Sequence, residues 1–241
     1  MKPRRTESSA GFVIGATMDV QRQKTAVVYL SVVTNTMLVV FKIVVGLITG
    51  SVSVLSEAIH SGMDLVAALI ALFAVKKSAE PADSEHPFGH IKVESISAAV
   101  EALLIFLAAA WITYEAIQRL ISPTPLEMVG WGIGVMFIAA AVNLVVSEML
   151  FKVGRKTDSA AILADGWHLR TDVYTSLGVM VGLGLIFAGG RLFPGVDVQW
   201  IDPAMAFLVA LLIVKAAYVL TTNAIRDLLD TSLPASEQEW L

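Results

Sequence analysis

The feature that most constrains the fold of this chain is a series of apolar runs, each close to or above the length that crosses a lipid bilayer. A membrane-spanning helix needs about 20 apolar residues, and in hydrocarbon every backbone polar group must find a partner within the protein. Six such runs occur, at residues 25–49, 52–75, 95–117, 128–151, 160–187 and 203–220. They are continuously apolar, whereas the strands of a membrane barrel alternate. The sequence therefore predicts an all-α membrane protein with six transmembrane helices.

Composition and charge agree with this fold class and predict an orientation. Hydrophobic residues make up 56% of the chain and charged residues 16%, below the roughly 25% charged residues of average domains. Of the 17 Lys and Arg residues, most lie in segments on one side of the predicted membrane, and Arg119 and Arg191 lie on the other. Since cytosolic loops carry the excess of basic residues, both termini are predicted to be cytosolic. This scattered charge gives no support to a nucleic-acid partner.

The predicted spans divide the chain into three parts. Residues 1–24 are expected to form a cytosolic N-terminal arm instead of a signal peptide, because their short apolar stretch, 11–18, is followed at once by Asp19. Residues 25–222 form the six-span domain. Residues 223–241 are expected to form a short cytosolic tail.

Two of the apolar runs carry the same acid, histidine and aspartate series at the same spacing. The series is Glu57, His60 and Asp64 in the second run and Asp165, His168 and Asp172 in the fifth. Ionisable residues within a membrane are costly and are functional candidates by default. Residues three, four and seven apart share a helix face, so each run can aim one imidazole and one carboxylate at a single point. Two nitrogens and two oxygens make a tetrahedral ligand set for a divalent metal such as zinc.

Other ionisable groups in these spans have different predicted roles. The chain has no cysteine, so a metal site must use imidazole and carboxylate ligands. Glu57 and Asp165 lie one turn from the proposed ligands and could orient the histidines or relay protons, although helix packing is the alternative. Arg170 lies about 200° around the helix from the ligand face and is predicted to pair with an acid elsewhere. Lys42 in the first run is expected to pair with an acid or a backbone carbonyl.

The loop 78–94 is a second candidate metal site. Asp83, His86 and His90 can converge on one ion, and two prolines and a glycine favour a bent, restricted loop over a helix. All four histidines of the chain then fall in three clusters, two in the membrane and one in the cytosol.

These motifs resemble those of the cation diffusion facilitators, which are proton-coupled exporters of divalent metals. The resemblance covers residues 23–234 and rests on the two His-Asp pairs, the loop PADSEHPFGHIKVE and the segment LLDTSLP after the last run. It implies a six-helix bundle of the cation-efflux type, usually dimeric, with a four-ligand transport site between the second and fifth helices. It also implies a cytosolic site at Asp83, His86 and His90. Family members commonly continue into a small cytosolic α/β domain, which has no counterpart before the last residue, Leu241.

The predicted function is secondary transport of a divalent metal, with Zn2+ exported from the cytosol in exchange for protons by alternating access. The His-Asp pairs resemble those of the zinc-transporting branch. Metal needs neutral imidazole and ionised carboxylate, so protonation expels it, and no GxxxxGK[ST] loop for nucleotide occurs. Zn2+ is then cargo and not a catalytic cofactor. The expected partners are metal, protons, lipid and a second copy of the chain, in a bacterial or archaeal cell membrane.

Other functions stay open on these observations. Fe2+, Co2+, Cd2+ or Mn2+ could replace zinc, since the order of affinities does not determine the physiological metal. An intramembrane metalloenzyme would need an open coordination position and a general base, as in HExxH, and that motif does not occur. A passive metal or proton channel would conduct without proton coupling.

Overall fold

The computed structural model describes residues 7–50, 52–121, 131–192 and 200–229. Within these ranges the chain forms six helices and no strand, which confirms the predicted all-α fold. The helices are α1 Glu7–Thr49, α2 Val52–Ser78, α3 Lys92–Ile121, α4 Trp131–Thr157, α5 Ala160–Leu192 and α6 Ile201–Leu228. Residues 7–24 of the predicted arm are helical and continuous with α1. Of the predicted tail, residues 223–228 extend α6, and residues 230–241 lie outside the described ranges.

Among the described residues, five segments are long and apolar enough to cross a membrane. They are Asp19–Ile48, Ala58–Ser78, Lys92–Gln118, Gly134–Thr157 and Pro203–Leu228. Helix α5 is 33 residues long but carries Asp165, Arg170 and Asp172 in its first half. A membrane crossing by α5, and with it the cytosolic location of both termini, stays a prediction.

The helices pack so that α5 lies at the centre of the bundle. The most extensive contacts join α3 with α6, α1 with α2 and α4 with α5, and α5 also contacts α2, α3 and α6. Buried apolar side chains form two clusters. One joins α1, α2, α4 and α5 around Leu150 and Leu169, and the other joins α3, α5 and α6 around Ile105 and Ile213. Helix α5 contributes to both clusters, and its polar residues Asp165, His168 and Thr171 are also buried.

Two glycines set the close approach of α1 and α2. Gly50 has a φ of 66° in the turn between them, a conformation that glycine adopts without steric cost. A Cβ placed on Gly46 would lie 2.7 Å from Cδ2 of Leu55. These two glycines therefore permit a tight turn and close contact between α1 and α2.

Candidate functional site

The polar faces of α2 and α5 meet inside the bundle. His60 and Asp64 are four residues apart on α2, and His168 and Asp172 are four residues apart on α5, so each pair occupies one face of its helix. Because α2 packs against α5, the structure brings all four predicted residues together. Each histidine contacts the aspartate of the opposite helix.

The distances in this cluster can be compared with those that a metal ion requires. His168 Nε2 lies 3.2 Å from Asp64 Oδ1, and His60 Nε2 lies 3.9 Å from Asp172 Oδ1. One ligand atom from each of His60, Asp64 and Asp172 lies within 4.8 Å of the others. A tetrahedral zinc ion with bonds of about 2.0–2.1 Å separates its ligand atoms by about 3.3 Å. His168 is not part of this three-residue group, so the side chains would have to move closer together before all four could bind one ion.

The cluster is enclosed on one side and accessible on the other. The side chains of Asp64 and His168 are 6% and 11% exposed, whereas that of His60 is 51% exposed. Asp172 is intermediate, with 17% of its side chain exposed. The accessible edge is thus formed mainly by His60.

Two cations near the cluster have separate environments. Lys42 on α1 is buried and donates a hydrogen bond from Nζ to Ser61 Oγ at 2.7 Å, and its charge also acts on Asp64. Arg170 pairs instead with Glu148 on α4 and lies over the Phe151 ring, 5.3 Å from its centroid. The prediction that Arg170 faces away from the ligands and pairs with an acid elsewhere is confirmed. Sequence reasoning missed Ser61, because an isolated serine in an apolar run gives no signal.

Of the two acids that precede the histidines, Asp165 and Glu57, the structure describes the side chain of Asp165 only. Asp165 is fully buried, and neither of its carboxylate oxygens accepts a hydrogen bond from the described residues. The side chain of Glu57 lies outside the described part of the structure.

The loop between α2 and α3 brings its three predicted ligands together. Oδ1 of Asp83 lies 3.2 Å from Nδ1 of His86, and its Oδ2 lies 3.4 Å from Nε2 of His90. The two imidazole rings are 4.4 Å apart between centroids. One carboxylate is therefore flanked by two imidazoles. Asp83 and His86 are exposed, whereas His90 is buried.

Asp83 also holds the backbone of this loop. Its Oδ1 accepts hydrogen bonds from the backbone N–H groups of Glu85 at 2.9 Å and of His86 at 2.6 Å. The bond from the His86 backbone is the main reason why the pKa of Asp83 is lowered from its usual value, so the carboxylate is ionised at neutral pH. Gly89, with a φ of 81°, turns the chain back and brings His90 to the same carboxylate.

The fold and these clusters define an integral membrane protein with candidate metal ligands both within its helix bundle and in a connecting loop. Residues 28–229 match the family described as the cation efflux transmembrane domain. The chain belongs to this cation efflux family, as its resemblance to the cation diffusion facilitators predicted.

Relatives with known names agree with this membership. The chain is 42% identical to the uncharacterized transporter sll1263 of Synechocystis over 190 residues, covering 79% of this chain and 59% of the relative. It is 35% identical to the cation-efflux pump FieF of Salmonella agona over 202 residues, covering 84% of this chain and 65% of the pump. It is 32% identical to the magnetosome protein MamB of Magnetospira over 202 residues, covering 80% of this chain and 63% of the relative. The chain thus spans 59% to 65% of the length of these relatives.

Membership also decides between two of the classes left open by the sequence. The family is described as cation efflux, and two of the relatives are named as a transporter and a cation-efflux pump, so the chain belongs to a family of transport proteins and not of enzymes. Five helices that can cross a membrane and bacterial relatives identify an integral protein of a bacterial membrane, as predicted.

Proposed function

We propose that this protein is a secondary transporter that exports Zn2+ from the cytosol in exchange for protons by alternating access. The observation that carries the proposal is the meeting of two imidazoles and two carboxylates between α2 and α5. Membership of the cation efflux family supports it, and a relative named as a cation-efflux pump supports the direction of transport.

Zinc is favoured as cargo by the donor set. Two nitrogen and two oxygen donors suit tetrahedral Zn2+, whereas Mn2+ prefers sites built mainly from oxygen. Fe2+, Co2+ and Cd2+ are the nearest alternatives within the same function, because imidazole also suits other transition metals, and Mn2+ is the weakest. The domain that carries this activity is proposed to be residues 25–222, between the N-terminal arm and the C-terminal tail.

Proton exchange follows from competition for the same four side chains. Each imidazole faces a carboxylate of the opposite helix, and a protonated imidazole would form an ion pair with that carboxylate. Metal binding requires neutral imidazole and therefore releases protons. Reprotonation on the far side of the membrane then expels the metal. Asp165, and Glu57 at the matching position, are proposed to orient the histidines or to relay these protons.

The loop cluster is proposed as a second, cytosolic metal site. Asp83, His86 and His90 supply three donors within 4.8 Å of one another, and the exposure of Asp83 and His86 leaves room for water as a fourth ligand. A homodimer is proposed on the grounds of family membership alone.

Zinc flux in reconstituted vesicles with an imposed pH gradient tests the transport proposal. The variant Asp172→Asn keeps the side-chain shape but loses the charge. Mutating residues that only hydrogen-bond to metal ligands already lowers metal affinity or activity about 10–100-fold, so for a ligand itself we expect zinc flux to fall at least about 100-fold. Asp158→Asn is the matched control. Asp158 is an exposed aspartate with a φ of 48°, which asparagine also tolerates, and its flux should equal that of the wild type.

Three results would contradict parts of this proposal. Equal zinc flux with and without the gradient would contradict proton exchange and favour a channel. Movement of another divalent ion in place of zinc would contradict the metal assignment. Normal flux in Asp172→Asn would contradict the site.

A further inference from the structure

Two acidic side chains outside the metal-ligand set lie fully buried where α3 packs against α5. Glu101 on α3 and Asp165 on α5 have no exposed surface, and the two helices are in contact. The carboxylates are close enough for their charges to act on each other. The sequence gives Glu101 no role, since one acid in an apolar helix has many explanations.

The polar atoms of this pair lack partners among the described residues. Glu101 Oε2 and both oxygens of Asp165 accept no hydrogen bond, and Glu101 Oε1 accepts only a long one, 3.4 Å from Ser97 Oγ. The Ser31 hydroxyl on α1 lies beside Asp165 and can donate to it, although neither carboxylate oxygen has a hydrogen bond of normal geometry. The neighbouring Asn35 Nδ2 is also buried and unpartnered. Most polar atoms buried in proteins do have partners, so these inward-facing atoms indicate a ligand.

Among the described residues, the surroundings of Glu101 supply acidic charge and no cation that acts on it. The α6 side chains packed against α3 are apolar, among them Val209, Ile213 and Ala217. Asp165 is the charged group that acts on Glu101. Asp165 in turn is within reach of the charges of the transport ligands, which are Asp64, His168 and Asp172.

Two carboxylates cannot both stay ionised in such surroundings. An ionised group buried without a partner is so unfavourable that it neutralises instead, and two carboxyls in one place tend to retain a proton between them. We infer that Glu101 and Asp165 form a proton-binding site, separate from the metal ligands, which loses its proton when a metal ion occupies the transport site. This inference rests on the proposed exchange of metal for protons and adds a site to it.

Asp165 connects the pair to the metal. It lies three residues before His168, about one turn along the same helix, and the charges of the transport ligands already act on it. A divalent cation bound there adds positive charge, and a nearby positive charge favours the ionised form of a carboxyl. Metal binding would thus drive off a proton without touching Glu101.

The number of protons released per bound Zn2+ tests the inference. Calorimetric titration of the purified 241-residue protein in buffers of different ionisation enthalpy gives this number. Glu101→Gln keeps the size of the side chain but cannot titrate, and we expect it to release about one proton fewer than the wild type. Glu101→Asp retains a carboxyl and should restore the wild-type number. Thr113→Ala removes a hydroxyl about three turns further along α3, where it bonds only to the Ala109 carbonyl, and as the packing control it should not change the number.

The possible failures separate the inference from the proposed function. If the wild type binds Zn2+ without releasing protons, the proposed exchange fails. If the wild type releases protons and Glu101→Gln releases the same number, only the proton site fails. Infrared difference spectra of the wild type, with and without Zn2+, give a measurement that does not depend on the folding of any variant. The band of a protonated carboxyl should disappear on Zn2+ binding, and its persistence would overturn the inference.

Discussion

At the scale of single residues, Asp83 both holds the backbone of the α2–α3 loop and offers a carboxylate to a metal ion, and substitutions can separate these two roles. Its Oδ1 accepts two backbone N–H groups, and its carboxylate faces two imidazoles. Asp83→Asn retains the acceptor oxygen but loses the charge, whereas Asp83→Ala loses both. We expect both variants to weaken metal binding to the loop by at least about 10-fold. Only Asp83→Ala should also speed hydrogen exchange at the amides of Glu85 and His86.

Metal titrations of the two variants, combined with hydrogen exchange, check this prediction. His90→Ala in the same loop removes an imidazole but no acceptor for those amides, and it is the control for the exchange measurement. Unchanged metal affinity in Asp83→Asn would show that the carboxylate is a structural group and not a ligand.

Lys42 is the second residue whose effect can be predicted singly. It is buried, bonds to Ser61 and places a positive charge within reach of Asp64. A fixed cation opposes the arrival of a second one, so we expect Lys42→Met to bind Zn2+ more tightly, on the order of 10-fold, and to release it more slowly. Competition with a chelating dye measures the affinity, and stopped flow measures the release.

Two variants control for changes other than charge. Lys42→Arg keeps the cation and should bind Zn2+ as the wild type does, and Ser61→Ala removes the hydroxyl while the charge remains. Weaker Zn2+ binding in Lys42→Met would mean that Lys42 supports the position of α2 instead of opposing the metal.

At the scale of helices, Glu94 joins four elements at one end of the bundle. This buried carboxylate, at the start of α3, accepts hydrogen bonds from Lys24 Nζ of α1 at 2.9 Å and from Ser78 Oγ at the end of α2 at 2.6 Å. A third comes from Ser159 Oγ, between α4 and α5. We expect Glu94→Gln to lower the free energy of unfolding by about 3 kcal/mol, because it leaves a largely buried cation without its partner.

Denaturant unfolding in detergent micelles measures this change. Glu80→Gln is the control, because it breaks the exposed pair of Glu80 with Lys77 and should cost at most about 1 kcal/mol. The double variant Lys24→Met with Glu94→Gln should recover part of the loss, since no buried charge is then unpaired. Equal losses in Glu94→Gln and Glu80→Gln would contradict the role of Glu94.

The hairpin of α1 and α2 gives a second prediction at this scale. A Cβ on Gly46 would lie 2.7 Å from Leu55 Cδ2 and 3.3 Å from its backbone nitrogen, whereas a Cβ on Gly62 meets nothing within 4 Å. We expect Gly46→Ala to destabilise the protein by about 1–3 kcal/mol through overpacking. Gly62→Ala should be neutral or stabilising by up to about 1 kcal/mol. Unfolding free energies of the two variants compare them directly, and equal values would contradict close packing at Gly46.

At the scale of the whole molecule, alternating access requires α5 to cross the membrane with the other helices. The chain has no cysteine, so single-cysteine variants report topology without background. Lys156→Cys precedes α5 and Trp200→Cys follows it, and both positions are exposed. We expect an impermeant thiol reagent to label them from opposite sides of the membrane. Ala79→Cys, after α2, is the control and should label from the same side as Lys156→Cys.

Labelling of both α5 flanks from one side would contradict the crossing. It would also contradict a site shared between two transmembrane helices. In that case α2 and α5 could not both cross the bilayer side by side with their ligands at the same depth.

The predictable part of this structure is the part that depends on neighbours in sequence. The all-α fold follows from continuous apolar runs, and the outward direction of Arg170 follows from helical periodicity alone. The bent loop could be predicted from its prolines and glycine. The convergence of its three ligands on one carboxylate depends on hydrogen bonds to Asp83, which spacing does not specify.

The sequence by itself thus determined the class of protein and the two His-Asp pairs, because residues four apart on one helix must share a face. Only the tertiary structure decided which side chains of different helices meet. His168 contacts Asp64 across 104 residues, Lys24 reaches Glu94 across 70, and Glu101 lies near Asp165. Such contacts depend on how each helix is rotated and shifted against its neighbours. The rotation and shift of each helix are set by the packing of many small side chains together, so they cannot be predicted from a local sequence pattern.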